Sequence, residues 1–108
     1  FAYNNGLRLC FDVAHTRLAT NQSRTSFTAA TEVLLPLTAH LHLVDASGED
    51  DEGLQILEGE IDWGHLGSQM KRLAPRVGFI PEIWQGHVDS GRGFWTALNR
   101  LESLLDQD

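Results

Sequence analysis

The 108-residue chain has one cysteine, Cys10, so no internal disulfide can form. A reducing, cytoplasmic compartment is the simple expectation. No apolar run approaches the roughly 20 residues of a membrane span. No basic stripe exists to follow a phosphate backbone, and no polybasic patch to meet anionic lipid. Nucleic acid and membrane surfaces are therefore not expected partners. The N-terminus has neither Met nor a basic-then-apolar signal pattern, and it reads as a chain cut from something longer.

What is present is ordinary for a globular protein: 42% hydrophobic, 21% charged and 8% aromatic residues. This length suits one domain, spanning 1–108. The net charge of −7 is localised. Eight acids and no base lie between Asp45 and Asp62, which leaves the remainder nearly neutral. The acidic stretch is expected to be a solvated loop.

Leu7–Val13 reads as a strand behind the turn signal Asn4-Asn5-Gly6. A polar loop, 15–25, is expected next. Phe27–Leu35 carries Phe27, Ala30, Val33 and Leu34 at helical spacing, and Pro36 ends or kinks it. Ala39–Asp45 is a second strand with His40, His42 and Val44 on one face. Asp62 is an N-cap candidate, and Ile61 can staple to Leu66. Trp63, Leu66, Met70 and Leu73 then repeat with helical period until Pro75. Val77–Trp84 is the third strand. A final helix is expected from about Gly93 to Leu105, with Ser90 as a possible cap.

The order is strand, helix, strand, helix, strand, helix, which predicts parallel pairing. Three βα units near 7–35, 39–74 and 77–105 are read as the last three of a (β/α)8 barrel. A small doubly wound sheet is the alternative, without a glycine-rich phosphate loop to support it. Open sheet edges predict that these residues associate, as part of a longer chain or as a homo-oligomer.

Asp12, His42 and Glu82 each fall near the carboxyl end of a predicted strand. Strand ends of a parallel sheet converge on one side, where ligands bind. Asp, His and Glu are also donors suited to Mn²⁺, Mg²⁺, Co²⁺ or Zn²⁺. For any one of them a cap or a loop hydrogen bond is the competing explanation. The common register across three units is what argues for a site.

Four segments occur in order: Phe11-Asp12-Val13-Ala14-His15, His40-Leu41-His42-Leu43-Val44-Asp45, Leu57-Glu58-Gly59-Glu60-Ile61-Asp62-Trp63 and Ile80-Pro81-Glu82. Together they resemble the C-terminal part of the xylose isomerase-like barrels, a superfamily of sugar isomerases, epimerases, inosose dehydratases and apurinic-site endonucleases. The resemblance implies metal ligation by Asp12, His42 and Glu82, with a further carboxylate from an earlier strand. Glu82 would double as general base, and His15 would contact metal or a substrate oxygen. It also implies an isomerase or epimerase acting on a sugar, sugar phosphate or polyol. The first glycine of the family's Gly-x-Gly motif is replaced here by Leu57 or Glu58, and the epimerases' substrate-binding Arg has no counterpart.

Other residues offer substrate contacts. Trp84 ends the third strand and flanks the loop that holds His87, and Arg92 between Gly91 and Gly93 could hold an anionic group. His40 is expected in the core or behind a ligand, and His65 on a solvated helix face. The segment from Phe79 to His87, with Gly93-Phe94-Trp95, is faintly similar to isomerase-like modules appended to sialic acid-type synthases. The competing function, favoured by the three-unit length and the eroded glycine motif, is a non-catalytic barrel-derived binding or structural module, and that similarity points to a larger carbohydrate biosynthesis enzyme as its parent.

Overall fold

The computed structural model describes residues 8–106. Leu7 and the Asn4-Asn5-Gly6 turn lie outside the described residues. Strand β1 (Leu9–Asp12) leads directly into helix α1 (Val13–Ser23), followed by α2 (Phe27–Leu34) and a 3-10 turn at Leu35–Leu37. Next come β2 (Thr38–Leu43), the short strands β3 (Asp45–Ser47) and β4 (Asp51–Leu54), and α3 (Trp63–Leu73). Strand β5 (Gly78–Pro81) and helix α4 (Val88–Leu105) complete the order. No helix among the described residues is long and apolar enough to cross a membrane.

Strands β1, β2 and β5 form a parallel sheet in that order, with Asp12 beside His42 and His42 beside Ile80. Strands β3 and β4 form a separate antiparallel pair. This corrects the barrel expectation. The chain is a small α/β fold, not three consecutive βα units of a barrel. Two helices, not one, join β1 to β2, and a hairpin interrupts the passage from β2 to α3.

The first difference arises at 15–25, expected as a loop and folded as most of α1. Asp12 initiates this helix: its Oδ1 accepts from the His15 N–H at 2.9 Å. Val13, Ala14 and Leu18 bury its inner side, and Arg24, with φ +56°, terminates it. The second difference is the acidic stretch. Gly48 and Gly53 adopt φ of +65° and +75° there, which lets the chain double back as a hairpin. Asn21 and Gln22 of α1 hold it by donating to the Gly48 and Glu49 carbonyls, both at 2.6 Å.

Helix α3 begins as its sequence predicts, with Asp62 Oδ1 accepting from the His65 N–H at 3.1 Å. Trp63, Leu66 and Met70 are buried, and His65 is exposed. Buried Gln69 accepts from Thr31 and donates to the Thr28 carbonyl and Glu32, which fastens α3 to α2. Helix α4 departs from expectation at its start. Asp89, Ser90 and Gly91 all have left-handed backbone angles, so Ser90 does not have the extended conformation of an N-cap.

One sheet face buries Phe11, Leu41 and Leu43 against Leu35, Trp63, Leu66, Met70, Ala97 and Leu101. Each fully buried leucine there contributes ~1.5–3 kcal/mol from the removal of apolar surface from water. The other face carries Cys10, Asp12, His40, His42 and Ile80, all half-buried or exposed. Alternation along the strands thus places every ionisable side chain of the sheet on its uncovered face.

Candidate metal centre

Asp12 ends β1, His42 lies one residue before the end of β2, and Glu82 directly follows β5. Parallel pairing in register brings their side chains together. His42 Nδ1 is 3.0 Å from Glu82 Oε1 and 4.0 Å from Asp12 Oδ2. One donor atom from each residue lies within 4.8 Å of the other two. Donors bound at about 2.0–2.2 Å to one ion sit roughly 3–3.5 Å apart, so small side-chain adjustments would close the set on a cation. Two carboxylates and an imidazole suit Mn²⁺, Co²⁺ or Zn²⁺, and Mg²⁺ less well because of the nitrogen donor. The residues present fit the group.

Asp12 serves two purposes at once. Its Oδ1 caps α1, while Oδ2 faces the two histidines, 3.5 Å from His15 Nδ1 and 4.0 Å from His42 Nδ1. Capping uses Oδ1 alone, so a cation at Oδ2 would not compete with it. The cap also fixes the rotamer that aims Oδ2 at His42.

His15 does not join the three donors. It is exposed on the first turn of α1, and its Nε2 meets Glu52 Oε2 at 2.7 Å. Glu52, on β4, has no counterpart among the residues singled out from sequence, because its approach depends on the hairpin. Asp12 therefore lies between two imidazoles, each of which also faces a glutamate. His40 meets His42 edge to face at 5.5 Å, and Gly78 beside it leaves space that a Cβ would narrow to 3.1 Å. Cys10, read from sequence only as a lone cysteine, also meets the site. Its Sγ lies 3.5 Å from His42 Nε2.

The remaining candidates divide. A cavity of about 420 Å³ lies next to Glu82, lined by Pro81, Glu82, Ile83, Gly86, His87, Gly91 and Phe94. His87 thus shares a wall with the candidate ligand Glu82. Trp84 and Arg92 are not among the lining residues. Trp84 is 74% exposed, and its backbone N–H donates to the Gly53 carbonyl at 3.0 Å. Arg92 is exposed just beyond the left-handed turn.

A second polar centre has no local signature in the sequence. Asp45 is fully buried and accepts five hydrogen bonds. Oδ1 takes the Ala46 and Ile61 N–H groups at 2.8 and 3.1 Å. Oδ2 takes the Leu57 and Gly59 N–H groups at 3.1 and 3.0 Å, and Trp63 Nε1 at 2.7 Å. These bonds fold 55–63 around one carboxylate, between the hairpin and α3. Leu57, with φ +77°, occupies the left-handed conformation that favours glycine.

No protein-family model, curated protein or solved structure matches the chain.

Proposed function

We propose that Asp12, His42 and Glu82 hold a divalent cation, and that the centre serves proton transfer on a sugar, sugar phosphate or polyol, as in isomerisation or epimerisation. The observation that carries this reading is the convergence of the three donors at one end of the parallel sheet, with Glu82 also lining a cavity. About 420 Å³ is within the size range of small-molecule pockets. The resemblance to xylose isomerase-like sequences supports the same chemistry. A cytoplasmic location belongs to this reading and rests on the lone Cys10.

A divalent ion supplies Lewis acidity to adjacent substrate oxygens when bound. The chain's own residues supply the rest. Glu82, 45% exposed and at the cavity edge, can take a proton from substrate on the side facing the cavity. His87 can hydrogen-bond a hydroxyl from the same wall, and Phe94 offers an apolar surface to a sugar ring. His42 Nδ1 lies 3.0 Å from Glu82 Oε1, which places the two donors side by side for one cation. His15 reaches the same end of the sheet from the Asp12 side, paired with Glu52.

The exposure of Glu82 and His15 favours a second reading, a non-catalytic binding or structural module of a larger carbohydrate enzyme, because proton transfer benefits from water exclusion. Turnover separates the two. Glu82→Gln keeps the shape but removes the charge and the basicity. On the catalytic reading it lowers turnover by ~10²–10⁴-fold, and added metal does not restore it. His65→Gln, on the exposed side of α3, leaves activity near wild type. Full activity in Glu82→Gln would remove the catalytic role.

A further inference from the structure

We infer that Cys10 is a positioning residue for His42, which stabilises the imidazole tautomer able to bind a cation; this rests on the proposed metal centre. The two ring nitrogens of His42 face different partners. Nδ1 faces Glu82 and Asp12, and Nε2 lies 3.5 Å from Cys10 Sγ. A neutral imidazole carries one proton and one lone pair. A carboxylate 3.0 Å from Nδ1 favours the Nδ1–H tautomer in the metal-free protein, which leaves Nε2 to accept from the Cys10 thiol. Ligation through Nδ1 requires its lone pair, so the proton must stand on Nε2 instead. No proton is gained or lost in this exchange of tautomers.

The partner of Nε2 must then change from donor to acceptor. A thiol can do both by rotating about its Cβ–Sγ bond, since sulfur is a weak donor and a weak acceptor. Metal-bound histidines depend on such a partner for the other ring nitrogen, and its loss weakens metal affinity ~10–100-fold. Strand register fixes the arrangement. Cys10 pairs with His40 and Asp12 with His42, so Cys10 sits one step deeper on the same uncovered face.

Mn²⁺ is the probe for affinity because its preference for oxygen and nitrogen donors makes direct thiolate ligation unfavourable. In Cys10→Val a β-branched side chain suited to a strand replaces the thiol, and Nε2–H faces a methyl group. Mn²⁺ should bind this variant ~10–100-fold more weakly than wild type. Cys10→Ser, whose hydroxyl also donates and accepts, should recover most of the loss. The ¹⁵N shifts of His42 should report Nδ1–H in the metal-free wild type and Nε2–H with Zn²⁺ bound. Equal Mn²⁺ affinity in wild type and Cys10→Val would overturn the inference and leave the metal centre standing. Thiolate-to-metal charge-transfer absorption with Co²⁺ would also overturn it, by making Cys10 a ligand. Absence of binding in wild type itself would remove the metal centre and this inference together.

Discussion

The Trp63 indole N–H donates to Asp45 Oδ2 at 2.7 Å, and both residues are buried. Asp45 opens the hairpin and Trp63 opens α3, so this bond closes the segment between them. The same carboxylate takes four backbone N–H groups besides. A buried charge is tolerated only when it is richly hydrogen-bonded, and here five donors replace its water.

Asp45→Asn should therefore cost at least ~3 kcal/mol, because its amide nitrogen would face donors that have no other acceptor. Chemical denaturation followed by tryptophan fluorescence measures it. A loss near that of an exposed carboxamide substitution, roughly 0.5 kcal/mol, would show that the loop holds itself without this anion.

Leu57 and Gly59 should respond in opposite directions. A non-glycine residue in the left-handed region costs about 1–2 kcal/mol. Leu57 is 55% exposed and loses little packing. Leu57→Gly should stabilise the protein by ~0.5–1 kcal/mol after the added unfolded-state entropy of glycine. A Cβ at Gly59 would stand 2.5 Å from both the Ala46 carbonyl oxygen and Asp45 Oδ1. Gly59→Ala should cost about 2 kcal/mol or more. Urea midpoints that move the same way for both variants would contradict this account of the loop.

Much of this is visible in the sequence, and the part that is not has identifiable causes. Strands β1, β2 and β5 and helix α3 are legible because their apolar spacing and the Asp62 cap are local signals. Helix α1 is not, since Thr16, Thr20, Asn21 and Gln22 dilute its apolar side to Val13, Ala14 and Leu18. Asp45 reads as the polar end of a strand because its donors come from positions up to 18 residues away. One signal does point to it: a tryptophan just inside a helix needs a partner for its indole N–H. Among the candidate ligands, register predicts the meeting of Asp12, His42 and Glu82. It cannot predict Glu52, which reaches His15 only through the hairpin.

Acid should loosen the hairpin through Glu60. The Gly48 N–H, donating at 2.9 Å, and then the Asn21 amide, at 2.7 Å, hold the Glu60 carboxyl below its ordinary range. A carboxylate with a lowered folded-state pKa contributes stability that is present above its ordinary value. That contribution is lost as pH falls through the lowered folded value. Stability should thus fall more steeply on acidification in wild type than in Glu60→Gln. Parallel pH profiles for the two proteins would show that Glu60 does not couple the hairpin to pH.

The most direct measurement is a Mn²⁺ titration of the wild-type chain beside Asp12→Asn. Asparagine caps a helix as well as aspartate does, so α1 keeps its N-terminus while the oxygen facing His42 loses its charge. The account predicts one Mn²⁺ per wild-type chain, bound more tightly than millimolar, and binding weakened at least ~tenfold in Asp12→Asn with thermal stability retained. Millimolar or weaker binding in wild type, or equal affinity in the two proteins, would contradict a metal centre built on Asp12, His42 and Glu82.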